Sequence, residues 1–124
     1  MTDHRRAVGR AGEDLAAAQA QAWGWRVREM NWRCRFGEID LVAQDGACLV
    51  LAEVRTRRSG SARHGSPEES VGPLKQRRMA RLAEHYVQLV GWDGPWRIDV
   101  FAVVLGPGDQ VERLTHYPDA LEGL

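Results

Sequence analysis

The stretch that decides the fold is Gly37–Arg57, which reads GEIDLVAQDGACLVLAEVRTR. Two runs rich in aliphatic residues flank Asp45-Gly46, and Asp-Gly is one of the strongest signals for a two-residue hairpin turn. The stretch therefore predicts a β-hairpin with Asp45 and Gly46 as its turn residues. This apolar segment also carries Glu38, Asp40, Glu53 and Arg55 at positions expected to be buried, so their placement within the hairpin needs a physical reason.

The predicted register collects these charges at one end of the hairpin. With Asp45-Gly46 as the turn, Glu38 lies opposite Glu53 and Asp40 lies opposite Leu51. Side chains alternate between the faces of a strand, so the hairpin divides into a charged face and an apolar face. The charged face holds Glu38, Asp40, Val42, Leu49, Leu51, Glu53 and Arg55, and the apolar face holds Ile39, Leu41, Ala43, Cys48, Val50, Ala52 and Val54.

The clustered carboxylates predict a compensating partner. Like charges directly across a strand pair repel each other, so Glu38 opposite Glu53 would destabilise the hairpin. Arg55 on the same face, or Arg97 from a neighbouring strand, could neutralise them as ion pairs. A divalent cation is the other candidate, because carboxylate oxygens at a sheet end suit Mg²⁺.

The remainder of the chain alternates helical and strand patterns. The order α-β-β-β-α-β-β predicts an α/β protein with a mixed central sheet of about five strands flanked by helices. A capping box is predicted at Ser66-Pro67-Glu68-Glu69, and a basic, mobile loop precedes it. The predicted elements are a helix at Val8–Trp23, a strand at Trp25–Asn31, the loop at Thr56–Gly65, a long helix from Gly72-Pro73 to about Val90, and strands at Trp96–Leu105 and Val111–His116.

Composition narrows the class of protein. A chain of 124 residues is expected to form a single domain over residues 1–124. The longest apolar runs are too short to span a bilayer, and the polar start lacks a signal-peptide core, so we expect a cytoplasmic protein with no membrane partner. Cys34 and Cys48 predict neither a disulfide framework nor a zinc site. Residues 53–81 carry eight basic and three acidic side chains, a distribution compatible with phosphate binding.

A known nuclease pattern matches the hairpin. An acid in one strand followed by acid–x–base in the next, here Asp40 and Glu53-Val54-Arg55, resembles the PD-(D/E)xK motif. More closely, the chain resembles the YraN family of small bacterial proteins, which look like archaeal Holliday-junction resolvases. The matching segments are Gly9-Arg10-Ala11-Gly12-Glu13, Asn31-Trp32-Arg33, Gly37-Glu38-Ile39-Asp40-Leu41, Glu53-Val54-Arg55-Thr56-Arg57, Ser66-Pro67, Lys75-Gln76 and Arg97-Ile98-Asp99-Val100.

The resemblance implies a restriction-endonuclease-like core and a metal-dependent endonuclease that hydrolyses DNA, with branched or repair intermediates as its substrates. It implies that Asp40 and Glu53 hold Mg²⁺ or Mn²⁺ and that Glu13 is the acid contributed by the first helix. Arg55 falls where the motif has lysine, and arginine is a poor partner in proton transfer. Either Arg55 suffices electrostatically, or Lys75 supplies the ammonium, or the site is inactive.

The same resemblance implies a DNA partner and leaves two other classes open. One alternative is a nucleic-acid-binding module of a repair or recombination complex that does not cut, and another is a structural protein whose acids are salt-bridged. A homodimer is compatible with a resolvase-like fold.

Glu38 is expected to pair with an arginine at the rim, and Asp99 is expected to pair with Arg97. The residues expected to hold backbone phosphates are Arg57, Arg58, Arg63, Lys75, Arg77 and Arg78.

Overall fold

In the part of the chain that the structure describes, a five-stranded mixed sheet packs with two α-helices, which confirms the predicted α/β class and strand number. The computed structural model describes residues 2–60 and 72–120, with side chains described from residue 6 onward. In chain order the elements are α1 (Thr2–Ala22), β1 (Arg26–Cys34), β2 (Gly37–Asp45), β3 (Cys48–Arg58), α2 (Pro73–Val90), β4 (Trp96–Leu105) and β5 (Val111–Tyr117).

The strands lie in their sequence order across the sheet, β1-β2-β3-β4-β5. Only β3 and β4 pair in parallel, and the other neighbours pair antiparallel. A parallel pair needs a crossover connection, and α2 lies within the segment that joins these two strands. From Ile98 onward every residue of β4 is buried, as its β-branched sequence predicts.

Each face of the sheet packs against one helix. The small residues Ala16, Ala17 and Ala20 of α1 let that helix pack closely on one face, where Leu41 and Val50 contribute to the core. On the opposite face α2 packs through its apolar stripe, as the helical spacing predicts. The second cluster consists of Leu82, Ala83 and Tyr86 of α2 with Ile39, Val42, Leu49, Leu51 and Ile98 of the sheet.

The hairpin turn lies one residue further along than predicted. Asp45 pairs with Cys48, so Gly46 and Ala47 are the turn residues and the predicted Asp45-Gly46 turn is wrong. Gly46 has a φ of 60°, which places the left-handed residue at the first turn position, where glycine is favoured. Asp45 stays in the strand, where its carboxylate pairs with the Arg97 guanidinium at 3.1 Å.

The corrected register separates Glu38 from Glu53. Pairing between β2 and β3 ends at Leu41 and Ala52, and the next residues beyond that pair are Asp40 and Glu53. The register differs by two residues from the predicted one, so most side chains keep their predicted face because strand periodicity is two. The acid that approaches Glu53 is therefore Asp40.

Ile39 does not share the face of Leu41, contrary to the prediction. Leu41 packs in the α1 cluster, whereas Ile39 packs in the α2 cluster. The neighbouring strand changes face at the same point: Met30 pairs with Leu41 and Trp32 pairs with Ile39, and Asn31 between them has a φ of 54°. Asparagine tolerates this left-handed conformation, which interrupts the alternation of the strand.

Several predicted boundaries also shift. α1 begins at Thr2 rather than Val8, and β1 continues to Cys34 rather than ending at Asn31. The first three residues of the predicted loop, 56–58, belong to β3 because they pair with the end of β4. The rest of that loop beyond Gly60 and the predicted capping box lie outside the described residues. Neither described helix combines the length and apolar character needed to cross a membrane.

Candidate functional site

A cleft of about 410 Å³ opens where β2 and β3 stop pairing. It lies between the start of α2 and the middle of α1, and four acidic and three basic side chains line it. This cleft brings together all four residues that the nuclease resemblance assigns to catalysis. Its lining residues are Glu13, Phe36, Gly37, Glu38, Asp40, Glu53, Val54, Arg55, Lys75, Arg78, Met79 and Leu82.

Asp40 is held by the backbone of the adjacent strand. Its Oδ2 accepts a hydrogen bond from the Val54 N–H at 2.8 Å, at the point where strand pairing has ended. Burial, followed by the charge of Glu53, raises the pKa of Asp40 to about 8, although the Val54 hydrogen bond acts in the opposite direction. These surroundings therefore disfavour the ionised form of Asp40, and a nearby cation would stabilise that form.

Glu53 lies between two cations. Its Oε2 pairs with Nη1 of Arg55 at 2.9 Å and with Nζ of Lys75 at 3.3 Å. Arg55 was one of the two predicted ion-pair partners, and this contact confirms it. Lys75 comes from the first turn of α2, so an ammonium reaches the same carboxylate as the guanidinium of the motif position.

Glu13 enters the cleft from α1. Its Oε1 accepts a hydrogen bond from Nδ2 of Asn31 at 2.8 Å. Burial raises the pKa of Glu13, with the charge of Glu38 adding to the shift and the Asn31 hydrogen bond opposing it. The left-handed Asn31 thus has a second role, because it orients this acid in addition to interrupting β1.

Gly12 allows α1 to approach the sheet at this end. A Cβ at residue 12 would overlap the side chain of Thr56 on β3. By contrast, a Cβ at Gly9 would meet nothing within 4 Å. Sequence reasoning missed this contact, and the available signal was a glycine in an otherwise alanine-rich helix, directly before the acid Glu13.

The acidic side chains of the cleft do not form a closed metal cage in the part of the chain that the structure describes. Over residues 2–60 and 72–120 no group of three or more His, Cys, Asp or Glu side chains is arranged as a ready-made cage. Mg²⁺ commonly uses only one or two carboxylates and completes its octahedron with water and substrate phosphate oxygens. The donor set of Asp40 and Glu53 fits that mode of binding.

Two of the predicted phosphate-binding residues, Lys75 and Arg78, line the cleft. Arg57, Arg58 and Arg77 do not line it, and Nη2 of Arg58 pairs with Oδ1 of Asp109 at 2.6 Å. Arg63 lies outside the described residues. The basic side chains nearest the acids therefore come from the start of α2 rather than from the end of β3.

Glu38 and Arg97 have structural contacts. Glu38 pairs across the strands with Arg33 at 3.4 Å, which confirms the expectation of a rim residue paired to an arginine. Arg97 does not neutralise the cleft acids, contrary to one prediction, because it pairs with Asp45 and with Asp99. The Arg97–Asp99 pair at 2.9 Å confirms the predicted ion pair.

Comparison with known proteins identifies relatives over nearly the whole chain. The model of the "Uncharacterised protein family UPF0102" matches residues 12–103. A UPF0102 protein of Herpetosiphon aurantiacus is 45% identical over 122 residues, covering 94% of this chain and 95% of that protein. A UPF0102 protein of Anaeromyxobacter dehalogenans is 46% identical, with 98% and 88% covered. One of Streptomyces griseus is 50% identical over 103 residues, with 82% and 85% covered.

Proposed function

This chain belongs to the uncharacterised protein family UPF0102, and from the geometry of its cleft we propose that it is a metal-dependent endonuclease that hydrolyses phosphodiester bonds in DNA. The observation that carries the proposal is the convergence of Asp40, Glu53 and Glu13 with Lys75 in one cleft. Two strand acids with a nearby cation match the PD-(D/E)xK pattern, and Glu13 takes the place of the first-helix acid that the resolvase resemblance implies.

The carboxylates would hold the metal and the reacting water. Asp40 and Glu53 are the ligands, and the Val54 N–H orients Asp40. When bound, Mg²⁺ would polarise the scissile phosphate and lower the pKa of the attacking water. Glu13, held by Asn31, would accept a hydrogen bond from that water and direct it toward the phosphorus atom.

Arg55 and Lys75 share the roles that the motif gives to its lysine. Arg55 is held against Glu53 and stays charged, so it stabilises negative charge on the phosphate but does not transfer protons. The Lys75 ammonium, 3.3 Å from the same carboxylate oxygen, supplies the compact proton donor that the motif usually places in the second strand. The departure at Arg55 is thereby compensated from α2.

Cleavage assays with substituted acids test this function. Branched, flapped and single-stranded DNA would be incubated with Mg²⁺ or Mn²⁺ and with the wild type, Asp40→Asn or Glu53→Gln. We expect each substitution to lower the cleavage rate at least about 100-fold, since even residues that only orient metal ligands contribute 10–100-fold. Asp109→Asn, whose partner Arg58 lies outside the cleft lining, is the matched control and should cleave normally.

Cleavage that survives both acid substitutions would contradict the proposed site. Lys75→Met separates the two cations: it should lower the rate strongly while Arg55→Lys retains activity. Equal rates for Lys75→Met and wild type would show that the ammonium has no catalytic role. The Asp109→Asn variant reports any loss that arises from removing surface charge alone.

A specific contact favours a second function, that of a DNA-binding module that does not cut. Both Arg55 and Lys75 contact Oε2 of Glu53, so cations already neutralise one of the two metal ligands. Such a protein would bind DNA with a steep salt dependence but would show no cleavage in either metal. If Arg55→Lys then gained activity, the guanidinium would be identified as the group that silences the site.

A further inference from the structure

The turn between β1 and β2 exposes an aromatic ring at the rim of the cleft. Phe36 is the second residue of the two-residue connection, 44% exposed, and it lines the same cleft as Asp40, Glu53 and Lys75. Its backbone N–H donates to Sγ of Cys34 at 3.4 Å, which fixes the turn. A large apolar side chain is thus presented to solvent beside the carboxylates.

A row of rings supports Phe36 from behind. The His85 ring of α2 lies edge-on to it, with centroids 5.1 Å apart. Trp32 lies 6.2 Å from His85 and 5.0 Å from the buried Tyr86. This row of neighbouring rings connects the exposed Phe36 ring to the α2 core.

A cation accompanies the ring. The Arg35 guanidinium lies over the Phe36 ring, 4.9 Å from its centroid, and Arg78 lines the same cleft. Exposed rings interleaved with arginines are the surface that single-stranded nucleic acids use, since every base has a face that can stack and every nucleotide carries a phosphate. Exposed Leu74 and Leu89 show the contrast, because they are aliphatic and lie outside the cleft lining.

We propose that Phe36 stacks on an unpaired nucleobase next to the phosphate in the cleft, so that the substrate class is DNA with unpaired nucleotides, such as flaps, gaps or single strands. In a fully paired duplex each base is covered on both faces by its neighbours, so the ring finds no partner there. This inference rests on the proposed function, because it assumes that a DNA phosphate occupies the cleft.

Binding measured without cleavage tests the stacking separately from the chemistry. Fluorescence anisotropy in Ca²⁺ would compare a gapped duplex with a fully paired duplex of the same sequence. We expect Phe36→Ala to weaken binding of the gapped DNA about 5- to 150-fold, the range for one stacked base, and to change duplex binding less than about twofold. Phe36→Trp should retain the preference, whereas Phe36→Leu should lose it.

Leu89→Ala is the matched control, since Leu89 is a 62% exposed apolar residue of α2 that does not line the cleft. It should bind both DNAs as the wild type does. Equal weakening of both DNAs by Phe36→Ala, or no weakening of either, would overturn the stacking role.

The two proposals fail in different ways. Metal-dependent cleavage by the wild type together with unchanged gapped-DNA binding by Phe36→Ala would overturn the stacking inference alone. Selective loss of gapped-DNA binding, with no cleavage in Mg²⁺ or Mn²⁺, would support the stacking and overturn the endonuclease. A wild type that binds neither DNA would overturn both.

Discussion

Two aspartates, the half-buried Asp40 and the fully buried Asp99, have opposite electrostatic surroundings. Asp99 is fully buried, and its carboxylate accepts from Nε of Arg97 at 2.9 Å and from the Asp119 N–H at 2.9 Å, with Nε2 of His116 at 2.7 Å. Asp40 accepts the Val54 N–H and faces the charges of Glu53 and Glu13.

The difference separates a structural charge from a functional one. A buried carboxylate that is surrounded by donors fixes the geometry of its neighbours and needs nothing more. A carboxylate that is buried among other carboxylates costs stability, and a protein keeps such a group where it performs chemistry. By this criterion Asp99 holds β4 to β5 and the residues that follow, whereas Asp40 belongs to the candidate site, where a bound cation would stabilise its carboxylate.

The largest expected effect on stability comes from replacing Asp99, the carboxylate that is surrounded by hydrogen-bond donors. Asp99→Asn leaves the Arg97 guanidinium with a weaker partner in a buried position, so the free energy of unfolding should fall by about 3 kcal/mol. Urea unfolding followed by circular dichroism measures this. Asp109→Asn, which breaks a more exposed pair with Arg58, should cost less than about 1 kcal/mol. Similar losses for the two variants would remove the distinction between a buried and a surface pair.

The pH dependence of the free energy of unfolding tests the electrostatic surroundings of Asp40. The pKa of Asp40 is raised from 3.8 to about 8, so the folded state favours the protonated acid. Its contribution to stability is complete below pH 4 and is lost as the pH rises toward 8. We expect a loss on the order of 2 kcal/mol across this window, reduced from the full shift because the cleft is open to water.

The amide that replaces Asp40 in Asp40→Asn cannot ionise, so this variant should lose less free energy of unfolding between pH 4 and pH 8. The variant should therefore be more stable than the wild type at pH 8. Denaturation at pH 5 and pH 8 gives the comparison. The raised pKa of Asp40 would be contradicted if the free energy of unfolding of the wild type rises between pH 5 and pH 8. It would also be contradicted if Asp40→Asn shows the same pH dependence as the wild type.

A further prediction concerns the packing that brings Glu13 to the cleft. Gly12→Ala would place a methyl group against Thr56 and should destabilise the fold by about 1–3 kcal/mol. Gly9→Ala, in the same helix with open space around it, should be neutral or stabilise by up to about 1 kcal/mol. Thermal unfolding of the two variants measures the contrast, and destabilisation of the same size at both positions would refute the close approach.

The sequence allowed the element order, β4 and the acids of the cleft to be predicted. Strong β-branched runs and the match of Asp40 and Glu53 to a nuclease pattern carried those predictions. Face assignments near the site failed at Ile39, which lies beside the point where the neighbouring strand also changes face at the left-handed Asn31. A period-two pattern along one strand does not reveal such a break in alternation.

The turn and the ion pairs show a second limit. Asp45-Gly46 is a strong turn signal, yet Asp45 remains in the strand, where Arg97, 52 residues away, pairs with it. His116 on Asp99 and Lys75 on Glu53 are likewise long-range contacts that spacing alone does not encode. Sequence reasoning therefore predicted Arg55 as a partner of Glu53, two residues away, but wrongly offered Arg97 as a partner of the cleft acids.

The most direct test of the cation-dependent site is the unfolding temperature at pH 8 with and without Mg²⁺. A cation that binds only the folded state stabilises it by about 2.7 kcal/mol at 100 times its dissociation constant. We predict that Mg²⁺ raises the unfolding temperature of the wild type and of Asp109→Asn, and leaves that of Asp40→Asn unchanged. An equal rise in Asp40→Asn, or none in the wild type, would contradict it.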